Sequence, residues 1–220
     1  MRLLFLGPPG SGKGTQAKLL AGKHGIPHVA PGDIFRQETA AKSELGSLVE
    51  GIMARGDLVD DATTLRVIEN RLSSEDARNG FVLDGYPRNL AQAEALERVL
   101  SSRGESLDLV IDLVAPEEKI LERARMRRVC AQCGEPYSLA TQRPRVPGRC
   151  DACGGELVVR KDDREETVRE RLSLYERLTK PLETYYGEKG MVRVVDGEGE
   201  VAEVARRIDR ELRSRGLVQS

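Results

Sequence analysis

The chain has 220 residues, enough for one large domain or one core with small insertions, and can bury a sizeable apolar interior. Its 35 Lys+Arg nearly cancel 36 Asp+Glu, so no global field favours nucleic acid or an anionic membrane. Charged residues make up 32% and aromatics 4%, with no Trp, which suits highly charged helices and argues against aromatic base-stacking platforms, and no apolar run approaches a membrane span.

The run Leu3-Leu4-Phe5-Leu6 reads as a buried strand within Arg2–Leu6, and Gln16-Ala17-Lys18-Leu19-Leu20-Ala21 as the start of a helix. Between them lies Gly7-Pro8-Pro9-Gly10-Ser11-Gly12-Lys13-Gly14-Thr15, with full G-x-x-x-x-G-K spacing. A strand, a glycine-rich turn and a helix N-terminus form a phosphate cradle: glycines let successive backbone N–H groups converge on one anion, and the helix dipole favours negative charge there. Lys13 can reach terminal phosphates, and the hydroxyl of Thr15 or Ser11 is available to a phosphate or magnesium. A nucleoside polyphosphate is the expected ligand. Met1 leads directly into the first strand, so no targeting peptide and a cytoplasmic location are expected.

Further strands are expected at Pro27–Val29, Gly80–Asp84, Asp108–Leu113 and Met191–Val195, and helices at Asp61–Leu72, Leu90–Leu100, Glu117–Arg128, Glu165–Tyr186 and Val201–Arg215. The alternation predicts an α/β fold with a doubly wound parallel five-stranded sheet, in which ligands sit beyond the C-terminal ends of the strands. Both the glycine loop and Gly85-Tyr86-Pro87-Arg88, which follows Asp84, then open onto one sheet edge. Two regions interrupt the alternation, one purely helical in pattern and one rich in Pro, Gly and Cys. The division expected is a core of residues 1–29, 60–125 and 165–220, a flap at 30–59 and a lid at 126–164.

The lid region carries all four cysteines, Cys130 and Cys133, then Cys150 and Cys153, each pair reading Cys-x-x-Cys-Gly. Paired knuckles at this spacing fit a closed, structural four-cysteine zinc site, with a glycine relieving each turn. Two disulfides or four ordinary thiols are the alternatives, disfavoured in a reducing compartment. Arg128, Arg143, Arg145 and Arg149 are near enough in sequence to offset the charge of four thiolates. Arg36, Arg88, Arg123, Arg127, Arg160 and Arg171 fall in or beside a flap or a strand end, with Arg123 and Arg127 four apart on one helical face. A phosphoryl transfer works by positioning and by cations around the migrating charge, and this many arginines suits two nucleotides better than one.

Over Met1 to about Arg213 the chain resembles the adenylate kinases, in particular the bacterial long-lid form whose lid holds zinc. The resemblance rests on Gly7–Thr15, in which Gly14 separates Lys13 from Thr15. It rests also on Gly32-Asp33-Ile34-Phe35-Arg36, Asp84-Gly85-Tyr86-Pro87-Arg88, the four cysteines, Arg160-Lys161-Asp162-Asp163 and Thr167-Val168-Arg169-Glu170-Arg171. It implies reversible phosphoryl transfer from MgATP to AMP giving two ADP, by a monomer that needs neither nucleic acid nor membrane. On matching positions, Gly10, Ser11, Gly12, Lys13, Gly14 and Thr15 hold the ATP phosphates, Arg123 packs on the ATP adenine and Arg127 reaches its phosphates. Pro136 and Tyr137 cover that nucleotide, and backbone near Gly199 meets its adenine edge. Arg36, Arg88, Arg160 and Arg171 grip the AMP phosphate and the transferring group, while Gln92 and the backbone of Asp57, Leu58 and Val59 seat the AMP base beside Pro31 and Gly85-Tyr86-Pro87. Asp84 holds magnesium through water with help from Asp33, and Asp162 and Asp163 assist lid closure. Family members usually carry Thr where this chain has Pro31, which has neither hydroxyl nor N–H. The alternatives are a kinase for another nucleoside monophosphate, a P-loop ATPase whose cysteine module binds nucleic acid, and a redox sensor using the Cys pairs.

Overall fold

The computed structural model describes residues 1–219. The elements run β1 (Arg2–Leu6), α1 (Lys13–His24), β2 (His28–Val29), α2 (Pro31–Ala40), α3 (Glu44–Arg55), α4 (Asp61–Leu72), β3 (Phe81–Asp84), α5 (Leu90–Ser102), β4 (Leu109–Val114), α6 (Glu117–Met126), β5 (Arg127–Cys130), β6 (Pro136–Ser138), β7 (Leu157–Val158), α7 (Glu165–Leu174), α8 (Pro181–Glu188), β8 (Val192–Asp196) and α9 (Val201–Ser214). By contacts the chain divides into two compact units, one of residues 1–31, 60–115 and 173 onward, the other of Gly32–Val59 and Pro116–Leu172.

The first unit is built on a five-stranded sheet in the order β2-β3-β1-β4-β8, parallel throughout. Successive residues of a strand point to opposite faces, and here both faces are covered. Leu4, Leu6, Leu83 and Val110 pack with Ile68 of α4, Leu96 and Leu100 of α5, and Leu182 and Tyr186 of α8. Leu3, Phe5, Val82, Leu109, Ile111 and Leu113 pack with Ala17 and Leu20 of α1, and Val204, Ile208 and Leu212 of α9. Burial on both faces explains why these strands read as unbroken apolar runs. The fold is the doubly wound α/β architecture expected. Pairing of Phe5 with Asp84 sets the ends of β1 and β3 within one residue of each other, so the turns after β1 and β3 leave from one edge.

In the second unit, β6-β5-β7 form a small antiparallel sheet that the sequence pattern does not announce. Two helix expectations need correction. The helix expected over Glu117–Arg128 stops at Met126, because Arg127 has extended backbone (φ −74°, ψ 140°) and opens β5. Arg123 and Arg127 therefore do not share a helical face. The single helix expected over Glu165–Tyr186 is broken by a π turn at Tyr175–Thr179. Pro181 has no N–H to donate and its ring crowds the carbonyl four residues back. The turn before it widens, with the Lys180 N–H donating to the Tyr175 carbonyl at 2.9 Å.

Asp112 is 1% exposed on β4, and its Oδ1 lacks a hydrogen-bond partner among the described residues. Burial first, and Glu183 of α8 second, push its carboxyl up to about 6, against the pull of Lys13 and Lys180. Glu183 accepts from the Tyr175 hydroxyl at 2.9 Å. Because an acid with a raised folded-state pKa binds its proton more tightly when folded, its ionisation lowers stability as pH rises from the unfolded value near 3.8 through about 6. Asp112→Asn is expected to leave stability unchanged relative to the native chain at pH 4. The gain should grow to about 2–3 kcal/mol above pH 7. Denaturant unfolding across that range tests this, and a pH-independent difference would contradict it.

Candidate active site and metal centre

The turn after β1 wraps toward the N-terminus of α1, with Gly7, Gly10 and Gly12 all at left-handed φ. Among the described residues no side chain caps α1, and its first turn carries no acid, so the positive end of the helix is left to an incoming anion. Lys13 Nζ donates to the carbonyls of Gly7 (2.6 Å) and Pro8 (2.7 Å), folding its ammonium over the loop. Ser11 is fully buried, while Thr15 is exposed. The structure also explains the glycine after the lysine. A Cβ at Gly14 would stand 3.1 Å from Oδ2 of Asp84, tighter than ordinary van der Waals contact. The same Oδ2 lies 3.3 Å from His28 Nε2. Asp84 thus sits between the lysine-bearing turn and β2, a carboxylate suited to a hydrated magnesium ion beside phosphates.

Beyond Asp84, Arg88 is fastened from three sides. Its Nε donates to the Gly85 carbonyl (2.8 Å), its N–H donates to Gln92 Oε1 (2.7 Å), and its carbonyl accepts from Thr179 Oγ1 (2.8 Å). Gln92, expected at the AMP base, uses its amide nitrogen on Asp61 Oδ1 (2.7 Å) and is nearly buried. Tyr86 is fully buried, so its ring belongs to the core rather than to a ligand. Near Gly199 the loop is held by Gly197 N–H on the Val114 carbonyl (2.8 Å) and by Arg207 on the carbonyls of Asp196 and Glu198.

In the second unit the expected arginines and acids gather. Arg127 makes a two-pronged ion pair with Asp163, whose side chain is fully buried. Arg160 is bidentate on Asp162 (2.9 and 2.6 Å), and Arg171 reaches Asp162 Oδ2 at 2.9 Å. Arg36 pairs with Asp33 and lies against Gly32. Burial, then Arg36 and Arg127, lower the pKa of Arg160, so three guanidiniums feel one another. Burial opposes ionisation of Asp162, but Arg160 and Arg171, with Arg36, outweigh it and hold the carboxyl well below the usual range. Gly56 packs directly on Thr167 and Arg171, which sets the backbone of Asp57, Leu58 and Val59 beside them. Arg123 lies in the last turn of α6 and is half-buried. In the lid, Pro136 pairs with Val129 and Tyr137 with Arg128 across β5 and β6.

The four cysteines are free thiols whose sulfurs all lie within 4.8 Å of one another. Cys130 and Cys153 are 3.4 Å apart, and Cys133 and Cys150 3.6 Å. A tetrahedral zinc with bonds near 2.3 Å sets sulfurs about 3.8 Å apart, so the residues fit that ion. The two knuckles repeat one hydrogen-bond pattern: Cys130 N–H to the Glu135 carbonyl and Gly134 N–H to the Cys130 carbonyl, then Cys150 N–H to Gly155 and Gly154 N–H to Cys150. Arg128, Arg143 and Arg149, expected to offset thiolate charge, donate instead to backbone carbonyls. Backbone N–H groups of Gln132 and Cys133 serve Cys130. The Tyr137 hydroxyl serves Cys150 and is the main influence drawing that thiol below its ordinary value.

A family model described as adenylate kinase matches residues 5–191. The chain belongs to the adenylate kinase family. Proteins named adenylate kinase from Moorella thermoacetica (48% identical, covering 96% of this chain and 98% of the relative) and Archaeoglobus fulgidus (46%, covering 95% and 96%) are similar throughout. One from Caldicellulosiruptor saccharolyticus is 45% identical over 94% of this chain and 97% of its own length. Adenylate kinases use magnesium with ATP, and the four close cysteines of this one are compatible with a zinc site. Sequence reasoning passes over His28, Asp61 and Thr179, which reach the site only through tertiary contacts. It also passes over Gly155, where a Cβ would press on Cys130 Sγ at 2.8 Å; the doubled glycine after Cys153 is the available signal.

For Gly14→Ala, helix propensity favours the folded state by up to about 1 kcal/mol, while the new methyl displaces Asp84. The expected result is an unchanged or raised melting temperature with a fall in kcat on the order of tenfold or more. Full activity would show that Asp84 does not need its present position.

Proposed function

We propose that this adenylate kinase divides the transfer of a phosphoryl group from ATP to AMP among the residues expected from its motifs. Gly10, Ser11, Gly12, Lys13, Gly14 and Thr15 hold the ATP phosphates, with Arg123 and Arg127, the lid backbone at Pro136 and Tyr137, and the backbone at Gly199 completing the donor site. Arg36, Arg88, Arg160 and Arg171 take the AMP phosphate and the transferring group. Pro31, Gln92 and the backbone of Asp57, Leu58, Val59, Gly85, Tyr86 and Pro87 seat AMP, Gln92 exchanging its present bond to Asp61 for the ligand. An AMP phosphate oxygen attacks the γ-phosphorus and the bond to the β-phosphate oxygen breaks, leaving ADP on each side. No side chain need be a nucleophile. The protein aligns the two oxygens and spreads the developing charge over guanidiniums and Lys13.

The observation that carries this reading is the packing of Arg127, Arg160, Arg171 and Arg36 around Asp162, Asp163 and Asp33. Like charges held this close make a site waiting for a polyanion. Magnesium arriving with ATP neutralises phosphate charge, and Asp84 through water, with Asp33, would hold it. Cys130, Cys133, Cys150 and Cys153 would hold zinc, which would keep residues 126–164 rigid enough to move as a lid about hinges near 125–128 and 162–164, with 30–59 as the acceptor flap and the remainder as core. Closing only on both substrates would keep water from the γ-phosphate. No helix among the described residues is long and apolar enough to cross a membrane. A cytoplasmic monomer acting on ATP, AMP and ADP, with no nucleic-acid partner, fits this reading.

Lys13→Ala should lose phosphoryl transfer by a factor on the order of 10²–10³ or more with its folding intact. Coupled assays over AMP, GMP, CMP and UMP test the acceptor, AMP being expected to give the highest kcat/KM. Pro31 begins α2 and offers a base neither a hydroxyl nor an N–H donor. Pro31→Thr should lower the Michaelis constant for AMP roughly two- to tenfold, the equivalent of one recovered hydrogen bond of about 0.5–1.5 kcal/mol. An unchanged constant would show that position 31 does not read the base.

A further inference from the structure

Tyr137 belongs to the lid segment proposed to cover ATP, yet its ring has little surface to offer. It is 5% exposed and packs in the lid with Cys130, Cys150 and Leu157. Its hydroxyl has one proton and accepts from the Asp151 N–H at 2.7 Å. That bond sets the rotation of the hydroxyl and directs its proton to Cys150 Sγ, 3.5 Å away. Asp151 is itself fixed, its Oδ1 accepting from the Arg145 N–H at 2.9 Å. A chain of donors thus runs from the Arg145 backbone through Asp151 and Tyr137 to one sulfur.

The two knuckles are otherwise alike. Cys130 accepts from the N–H groups two and three residues on, and Cys150 is approached by the equivalent pair, Ala152 and Cys153. The hydroxyl is the added feature, and it falls on the second knuckle. The guanidiniums of Arg128, Arg143 and Arg149 point at carbonyls rather than at sulfur. Four thiolates around a divalent cation carry excess negative charge, and donors to the sulfurs are what remains to spread it.

We propose that Tyr137 is a positioning residue of the metal centre, whose hydroxyl holds and charge-stabilises Cys150 as a ligand. This role rests on the reading of the four cysteines as a metal site. Contact of residue 137 with nucleotide is then made by its backbone, and its side chain serves the ion.

The test uses the full-length chain, loaded with Zn2+ or with Co2+ as a spectroscopic substitute. Tyr137→Phe keeps the ring and removes the hydroxyl. Its Zn2+ affinity, measured by competition with a chromophoric chelator, should fall about 10- to 100-fold, and its thiolate-to-cobalt charge-transfer band should move. Native affinity and an unmoved band would overturn the proposal and reduce Tyr137 to packing. Tyr137→Leu, which removes ring and hydroxyl, should lose affinity to the same extent and melting temperature further. Should the Phe variant not fold, the native chain grown with 3-fluorotyrosine keeps both ring and hydroxyl but makes the hydroxyl a stronger donor. The cobalt band should then shift, and an unchanged band counts against the role. A native chain that takes up no Zn2+ or Co2+ on thiolates would overturn the metal-site reading itself, an outcome distinct from a native-like Phe variant.

Discussion

Arg36, Arg127, Arg160 and Arg171 can stand close together without a ligand only because Asp33, Asp162 and Asp163 stand among them. Coulomb repulsion between partly buried guanidiniums is several-fold stronger than in water, and burial first, then Arg36 and Arg127, lower the pKa of Arg160. The acids remove that repulsion, and the low pKa of Asp162 keeps it ionised at any working pH. Such pairs are weak evidence for stability, since desolvation offsets much of their attraction. Their worth lies in pre-organisation. A phosphoryl group entering the cluster, as proposed, would exchange one set of anionic partners for another, so the arginines need not be gathered and desolvated at that moment.

The phosphate turn solves a related problem with backbone rather than charge. Its N–H groups must point inward, which the left-handed glycines permit, and its lysine must be held over the loop. The carbonyls of Gly7 and Pro8 hold that ammonium, while Asp84 approaches the turn at Gly14, where no Cβ intervenes. A generic loop with Ser or Thr in that place would push the carboxylate away. The spacing of lysine and hydroxyl and the placement of the acid are therefore one constraint, not two.

The segment that carries the four cysteines is too short to build an apolar core, and a metal held by their sulfurs would replace it. The strands there have four, three and two residues, and the cluster they share has only Cys130, Tyr137, Cys150 and Leu157. The glycines serve the sulfurs as much as the turns. Gly134 and Gly154 adopt left-handed φ, and Gly155 lets Cys130 Sγ pass where a side chain would stand.

Features confined to neighbours in the chain are legible in the sequence: the phosphate turn, the Cys-x-x-Cys-Gly knuckles and the apolar runs of β1, β3 and β4, whose burial on both faces erases alternation. Features that depend on a distant partner are not. The break at Tyr175–Thr179 follows from Pro181, yet nothing local distinguishes a π turn from an ordinary helix end. The lid strands are too short to show a period of two. Local pattern puts Arg127 on a helix with Arg123, whereas Asp163, far along the chain, holds it on a strand. Tyr137 is the sharpest case. An aromatic residue beside a nucleotide-binding lid invites the reading of a stacking surface, and its identity carries no sign of which way the ring turns. Packing with Cys130, Cys150 and Leu157 turns the ring inward, and the Asp151 N–H, by occupying a lone pair of the hydroxyl, aims its proton at the Cys150 sulfur.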